Sequence, residues 1–211
     1  MDGVAAKLDK ALAGDVRALK ELRKALPKLG EEKDIDFDSL LSYCKEHAGK
    51  KNSVAMNILA YVYYTGIVVE KDYGEALRWS LAGAELGNSN SQGLLGTMYL
   101  EGNDVVKKDE VKALEYFRAA VLQGNAQAEC SYGYLHFVGK GVEKDLGKAF
   151  ELFRASAEKG ETAAMVWLGD MYKEGIHVGV DFGEAKKWYG AAMALGDEDG
   201  KFCLEQLNSK N

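Results

Sequence analysis

Leu168-Gly-Asp-Met-Tyr-Lys-Glu-Gly175 has three counterparts upstream: Leu59-Ala-Tyr-Val-Tyr-Tyr-Thr-Gly66, Leu95-Gly-Thr-Met-Tyr-Leu-Glu-Gly102 and Tyr132-Gly-Tyr-Leu-His-Phe-Val-Gly139. Their starts are separated by 36, 37 and 36 residues. Each is followed by a second matching block: EALRW from Glu75, KALEY from Lys112, KAFEL from Lys148 and EAKKW from Glu184, at intervals of 37, 36 and 36. A period in this range marks stacked supersecondary units, none of which can bury its apolar face alone. The extra residue of the second copy falls in the loop Asn103–Asp109, where an insertion costs little.

The period extends outward. Asp15, Asn52, Asn88, Asn125, Glu161 and Asp197 recur at intervals of 37, 36, 37, 36 and 36. All but Glu161 are small polar residues suited to a helix N-cap or turn. Residues 15–51 read as a degenerate first repeat, with Ala18 and Leu22 matching Ala55 and Leu59. Residues 4–13 and 198–207 read as leading and trailing half-repeats, since end units meet solvent on one side.

Within each unit the pattern predicts two helices. In the second repeat Ala55, Leu59, Ala60, Val62 and Tyr63 fall on one wide stripe at 100° per residue. Gly66, Gly102, Gly139 and Gly175 stand where a helix C-terminus takes a left-handed residue. Asp72, Asp109, Asp145 and Asp181 open the second helices, and Glu75 and Glu184 follow two of them at capping-box spacing. No run alternates as a strand does. The expected fold is all-α: an α/α solenoid of about five helix–turn–helix repeats with terminal half-repeats. It is expected to form a single domain over 1–211, with a cap helix and degenerate repeat at 1–51, four clear repeats at 52–196, and a capping helix and tail at 197–211.

The pattern A-x-x-x-LG-x-x-Y-x-x-G, a short loop with Val and Asp, then KA-x-x-[WY]-[FY]-x-x-AA-x-x-G resembles the Sel-1-like repeat family, a relative of the tetratricopeptide repeats. The loop GKGVEKD, from Gly139 to Asp145, is nearest to the family form. Ala60 in place of a Gly, Tyr132 in place of a Leu, and Val180 where a basic residue is usual are departures in single copies. The resemblance implies a right-handed superhelix that works as an adaptor or scaffold for protein complexes.

Composition agrees. The 211 residues contain a single proline, Pro27, as a nearly all-helical chain would. A net charge of −6 offers no footprint for nucleic acid or anionic membrane, although residues 1–30 carry seven Lys/Arg against four Asp/Glu. Charges at Asp2, Lys7, Asp9 and Lys10 interrupt any leader-like apolar run, and no 18-residue apolar segment occurs, so no membrane insertion is expected. Cys44, Cys130 and Cys203 are odd in number and widely spaced, which suits a reducing, cytoplasmic setting.

Catalytic and metal signatures are weak, and no cofactor is expected. His47, His136 and His177 are dispersed, and Cys44-x-x-His47 would need two further ligands. Asp34, Asp36 and Asp38 open like a calcium loop, but Ser39 and Lys45 stand where Gly and Glu are required. His136 occupies the place of Tyr63, Tyr99 and Tyr172 and is expected to pack as they do. No GxSxG, GxxxxGK[ST] or GxGxxG element is present. The paired cysteines of family members associated with β-lactam chemistry are missing.

The first helices are expected to line the concave wall. With the buried stripe centred near Ala55 and Leu59, the opposite face carries Asn57, Tyr61 and Tyr64, then Thr97 and Leu100, then Tyr134 and Phe137, then Asp170 and Lys173, with Trp167 flanking. Four aromatics there, Tyr61, Tyr64, Tyr134 and Phe137, are the residue types that anchor peptides and proteins. With Lys173 the only basic residue on the wall, a carboxylate clamp of the tetratricopeptide kind is disfavoured. The basic face Arg17, Lys20, Arg23, Lys24 and Lys28 is read mainly as solvated. The expected function is a non-catalytic scaffold or adaptor for a protein or peptide partner, with the oligomeric state left open. The alternatives are a small-molecule or glycan receptor, with Tyr134 and Asp170 as its corner, and, more remotely, a hydrolase.

Overall fold

A computed structural model describes residues 2–14, 18, 21, 37–67 and 69–209. Among them every regular element is a helix: α1 (Asp2–Leu12), α2 (Phe37–Gly49), α3 (Ser53–Thr65), α4 (Tyr73–Glu85), α5 (Ser89–Glu101), α6 (Glu110–Val121), α7 (Ala126–Val138), α8 (Leu146–Glu158), α9 (Thr162–Glu174), α10 (Phe182–Ala194) and α11 (Glu198–Ser209). The expected half-repeat helices are α1 and α11. Leu22, the basic residues Arg17, Lys20, Arg23, Lys24 and Lys28, and the acidic Asp34 and Asp36 lie outside the described residues.

Local chemistry sets the boundaries. Asn88, Asn125 and Asp197 accept from the backbone N–H three residues on, at 3.0, 2.9 and 2.8 Å, and Asn52 accepts from both Val54 and Ala55. Glu161 makes no side-chain cap, and its longer side chain does not fold back onto the first turn. Asp72, Asp145 and Asp181 cap α4, α8 and α10 in the same manner. The capping box is only half formed. Glu75 does not return to Asp72, because Arg78 and the Trp79 Nε1–H take its carboxylate, and Glu184 turns to Lys187. Gly66, Gly139 and Gly175 are left-handed as expected, whereas Gly102 has φ 72° and ψ 160°, open essentially to glycine alone. The longer loop that follows explains the difference, since Asn103 must fold back to accept from Val105 and Val106.

Asn52 also donates to the Leu12 carbonyl at 2.9 Å, tying α1 to the start of α3. Asn52→Ala therefore loses a cap and a tether, an expected cost of about 1–2 kcal/mol. Hydrogen exchange should show α1 loosened in Asn52→Ala and unaffected in Asn125→Ala.

The chain divides into two compact units, Met1–Asp109 and Glu110–Asn211, and the division falls inside the repeat that starts at Ser89. In the first unit α2 packs on α3, α3 on α4 and α4 on α5, with α5 and α1 also reaching α3. In the second unit α6 through α11 pack each on the next, and α11 also reaches α9. Contacts between successive helices and one helix beyond are those of an α-solenoid. Leu8, Ala11, Leu41, Cys44, Ala55, Leu59 and Val62 form the first core. Ala149, Phe153, Ala164, Leu168, Met171 and Ala192 form the second.

Size matching between the two helices of a repeat sharpens this packing. A Cβ on Gly133 would stand 3.1 Å from the Phe153 ring, and one on Gly169 would stand 2.3 Å from the Tyr189 ring. In the repeat where Ala60 replaces the glycine, the residue at the ring position is Ser80, and both are fully buried. The departure at Ala60 is thus accompanied by a smaller partner position.

Candidate partner-binding surface

The expected wall residues divide between the two units. In the first, Asn57 departs from expectation: it is fully buried, because the neighbouring helices close over that side of α3. Tyr61 is half-buried against the first core. Tyr64 donates from its hydroxyl to Glu101 and meets Tyr73 edge-on at 5.8 Å. Burial first, and then Glu101, raise its pKa. Thr97 is occupied by its own helix, donating to the Gly93 carbonyl at 3.2 Å, and Leu100, three residues on, is half-buried. The polar reach of this face is largely spent internally.

In the second unit the wall residues come together. The Trp167 ring lies 5.6 Å from Tyr134 and 5.3 Å from Phe137, in tilted arrangements. Beneath it Phe153 is stacked nearly parallel, at 5.6 Å and 7°. Tyr134 and Phe137 share a face of α7 one turn apart, and Trp167 is supplied by α9. All three are half-buried, while Phe153 is fully buried. The patch is therefore a rigid aromatic platform with a floor. Such ring pairs add about 0.5–1.5 kcal/mol beyond area burial.

Asp170 and Lys173 follow Trp167 on the same helix. Asp170 accepts from the Tyr189 hydroxyl at 2.7 Å and from Lys173 at 3.4 Å, and Lys173 also reaches Glu174 at 3.2 Å. Burial alone would lower the Lys173 pKa, but Glu174 and Asp170 outweigh it and raise it. Burial and Asp170 likewise raise Tyr189. Asp170 is thus engaged by both Tyr189 and Lys173. The pattern reading missed Phe153 and Tyr189 as supports; the signal was the repeating Ser80, Phe117, Phe153, Tyr189 position, whose burial emerges only with the helices in place.

His136 is 3% exposed and packs edge-on against Tyr132 at 4.9 Å, beside a cavity of about 670 Å³ lined also by Val142, Glu143, Lys144, Asp145, Leu146 and Lys148. Burial first, and then the Lys148 ammonium, lower its pKa; the Glu143 backbone and the Asp145 carboxylate oppose them less strongly. Because the unfolded chain then binds the proton more readily, stability falls as pH drops through the ordinary histidine range. Replacing His136 with the tyrosine of the other repeats should remove a dependence of up to about 1.4 kcal/mol per pH unit below pH 6.5. Parallel urea titrations at pH 7.5 and 5.5 test this: a wild-type loss no greater than that of His136→Tyr would contradict it.

Cys44 and Cys130 are buried, and burial pushes both thiols up to about 12, so they are neutral packing groups near pH 7. Among the described residues no three His, Cys, Asp or Glu side chains converge as a metal site. No described helix is long and apolar enough to cross a membrane.

The sequence pattern of the Sel1 repeat matches residues 53–88, 89–125, 126–161 and 162–197. The chain belongs to the Sel1 repeat family. Sel1 repeats generally mediate protein–protein interaction. The aromatic platform draws on two of the matched Sel1 repeats, with Tyr134, Phe137 and Phe153 in one and Trp167 in the next. Among curated proteins the chain is 34% identical, over 139 residues, to the ERAD-associated E3 ubiquitin-protein ligase component HRD3B of Arabidopsis thaliana. That match takes in 64% of this chain and only 21% of the relative. Among solved structures it is similar to c5321, a protective antigen of uropathogenic Escherichia coli with an SLR fold, at 30% identity and a TM-score of 0.69. The match covers 97% of this chain and 44% of that one. A Sel1 repeat protein from Oxalobacter formigenes matches at 30% identity and a TM-score of 0.64, over 88% of this chain and 72% of its own.

Proposed function

We propose that this chain is a non-catalytic scaffold that holds a protein or peptide segment against its first helices, with Tyr134, Phe137 and Trp167 as anchors. The observation that carries this reading is the floored aromatic platform: three half-buried rings, held by Phe153, at a surface where unsupported aromatics would collapse inward. Large, rigid, partly exposed aromatics are the residues on which interface energy concentrates. Asp170 and Lys173 form its polar margin, while Tyr61, Tyr64, Thr97 and Leu100 contribute a second, more self-satisfied face. The three cysteines are free, which supports work in a reducing compartment, and the cytoplasm is the location this reading favours.

The test is an affinity capture with mass spectrometry, using wild type and Tyr61→Ser/Tyr134→Ser/Phe137→Ser after circular dichroism shows equal helicity. A partner retained by wild type and reduced at least about 30-fold by the variant, equivalent to about 2 kcal/mol, is the expected result. Equal retention by both proteins would remove the wall from the account. The small-molecule receptor is a second reading, favoured by the cavity beside His136; thermal shifts of the chain in a metabolite panel that His136→Tyr abolishes would support it.

A further inference from the structure

We propose that the Tyr134–Phe137–Trp167 platform receives a proline-rich segment in the polyproline II conformation, flanked by arginine or lysine; this rests on the scaffold reading above. The first ground is the hydrogen-bonding character of the platform. Trp167 Nε1 and Tyr134 Oη donate to no other described residue, whereas Trp79 Nε1 is held by Glu75 and the Tyr64 hydroxyl by Glu101. An indole N–H can only donate, and a phenol donates readily. The backbone of α7 and α9 is spent within the helices, so the platform presents donors and ring faces but no main-chain edge.

That asymmetry selects the occupant. An ordinary extended segment brings N–H groups that would find few acceptors here, and each one buried unpaired costs about 1–3 kcal/mol. Proline brings no N–H, leaves carbonyls free to accept, and places flat apolar rings against aromatic faces. Polyproline II is preformed, which reduces the ordering cost, and repeats every three residues over roughly 9 Å. Tyr134 and Phe137 both lie against the single Trp167 ring, so one such turn covers the platform.

Charge sets the flank. Asp170 and Glu174 follow Trp167 at one and two turns along α9, and between them stands the single cation Lys173, already paired with both. Glu110–Asn211 holds 16 acidic and 12 basic residues, net −4. Lys144, over the Phe137 ring at 6.0 Å, is the cation at the opposite margin. A basic residue beyond the prolines meets the α9 end and raises both affinity and salt sensitivity.

The experiment is isothermal titration of the full chain with three synthetic peptides: six prolines followed by two arginines, six alanines followed by two arginines, and six prolines followed by two glutamates. The first is expected to bind at least tenfold more tightly than either of the others. Tyr134→Phe, which keeps the ring and deletes only its donor, should weaken it about 3- to 10-fold, and Trp167→Phe, which deletes the indole N–H together with part of the ring area, by at least as much. Equal binding of the alanine peptide, lost in Tyr134→Ser/Phe137→Ser, would overturn the proline preference while leaving the scaffold reading in place. Binding indifferent to both donor deletions would overturn the assignment of the platform. No binding of the first peptide at millimolar concentration would also overturn it, and the affinity capture above then decides the scaffold reading separately.

Discussion

Phe153→Ala is expected to cost about 3–5 kcal/mol, the largest single loss predicted for the chain. Phe153 is fully buried, its ring stacks under Trp167, and Gly133 leaves the opening its edge fills. Truncation removes both contacts at once, and the helices cannot collapse into the hole without shifting α7 against α8. In a repeat array such damage stays near its source, so a single global midpoint understates it. Hydrogen exchange should show α7, α8 and α9 losing protection together while α1 to α4 keep theirs. Trp167 should also become more exposed, read as a red-shifted emission. Uniform loss of protection along the chain, or a cost below about 1 kcal/mol, would contradict the packing described.

Gly169→Ala is the second large effect, and it comes from overfilling. The added methyl would stand 2.3 Å from the Tyr189 ring, which cannot swing aside because it is fully buried and its hydroxyl is fixed on Asp170. A cost of about 1–3 kcal/mol is expected, against a small gain from alanine's better helix propensity. Tyr189→Ser alone is also costly, but the double variant restores the small-with-small combination found at Ala60 and Ser80. The two losses should therefore fall short of adding by about 0.5–3 kcal/mol in a double-mutant cycle. Strict additivity would mean that the two positions do not meet.

The parts of the fold that were legible from sequence are those written in local spacing. Asn52, Asn88 and Asn125 cap their helices because a cap is made within three residues, and the glycines at 66, 139 and 175 end theirs for the same reason. What was illegible depends on neighbours. Asn57 points away from its helix's apolar stripe and is still buried, because other helices cover that side. Glu75 has capping-box spacing, yet Arg78 and Trp79 compete for it with better geometry. His136 is buried like the tyrosines it replaces, but its edge-on contact with Tyr132 pairs two departures of the same repeat, which no single position announces.

The wall itself shows the same division. Helical spacing placed Tyr134 and Phe137 on one face, and the structure brings Trp167 onto them. It could not reveal that Tyr64 would be engaged by Glu101, or that Phe153 would floor the neighbouring platform. Those facts separate the face with free donors from the face without them.

Site-specific photocrosslinking at position 134 tests the central claim most directly. A benzophenone amino acid replaces Tyr134 in one protein and Leu122, which is 79% exposed and away from the platform, in another. The scaffold account predicts one discrete crosslinked partner from position 134, competed by unlabelled wild-type chain, and none from position 122. Identical adducts from both positions, or none from 134 in cells where the wild type captures a partner, would contradict it.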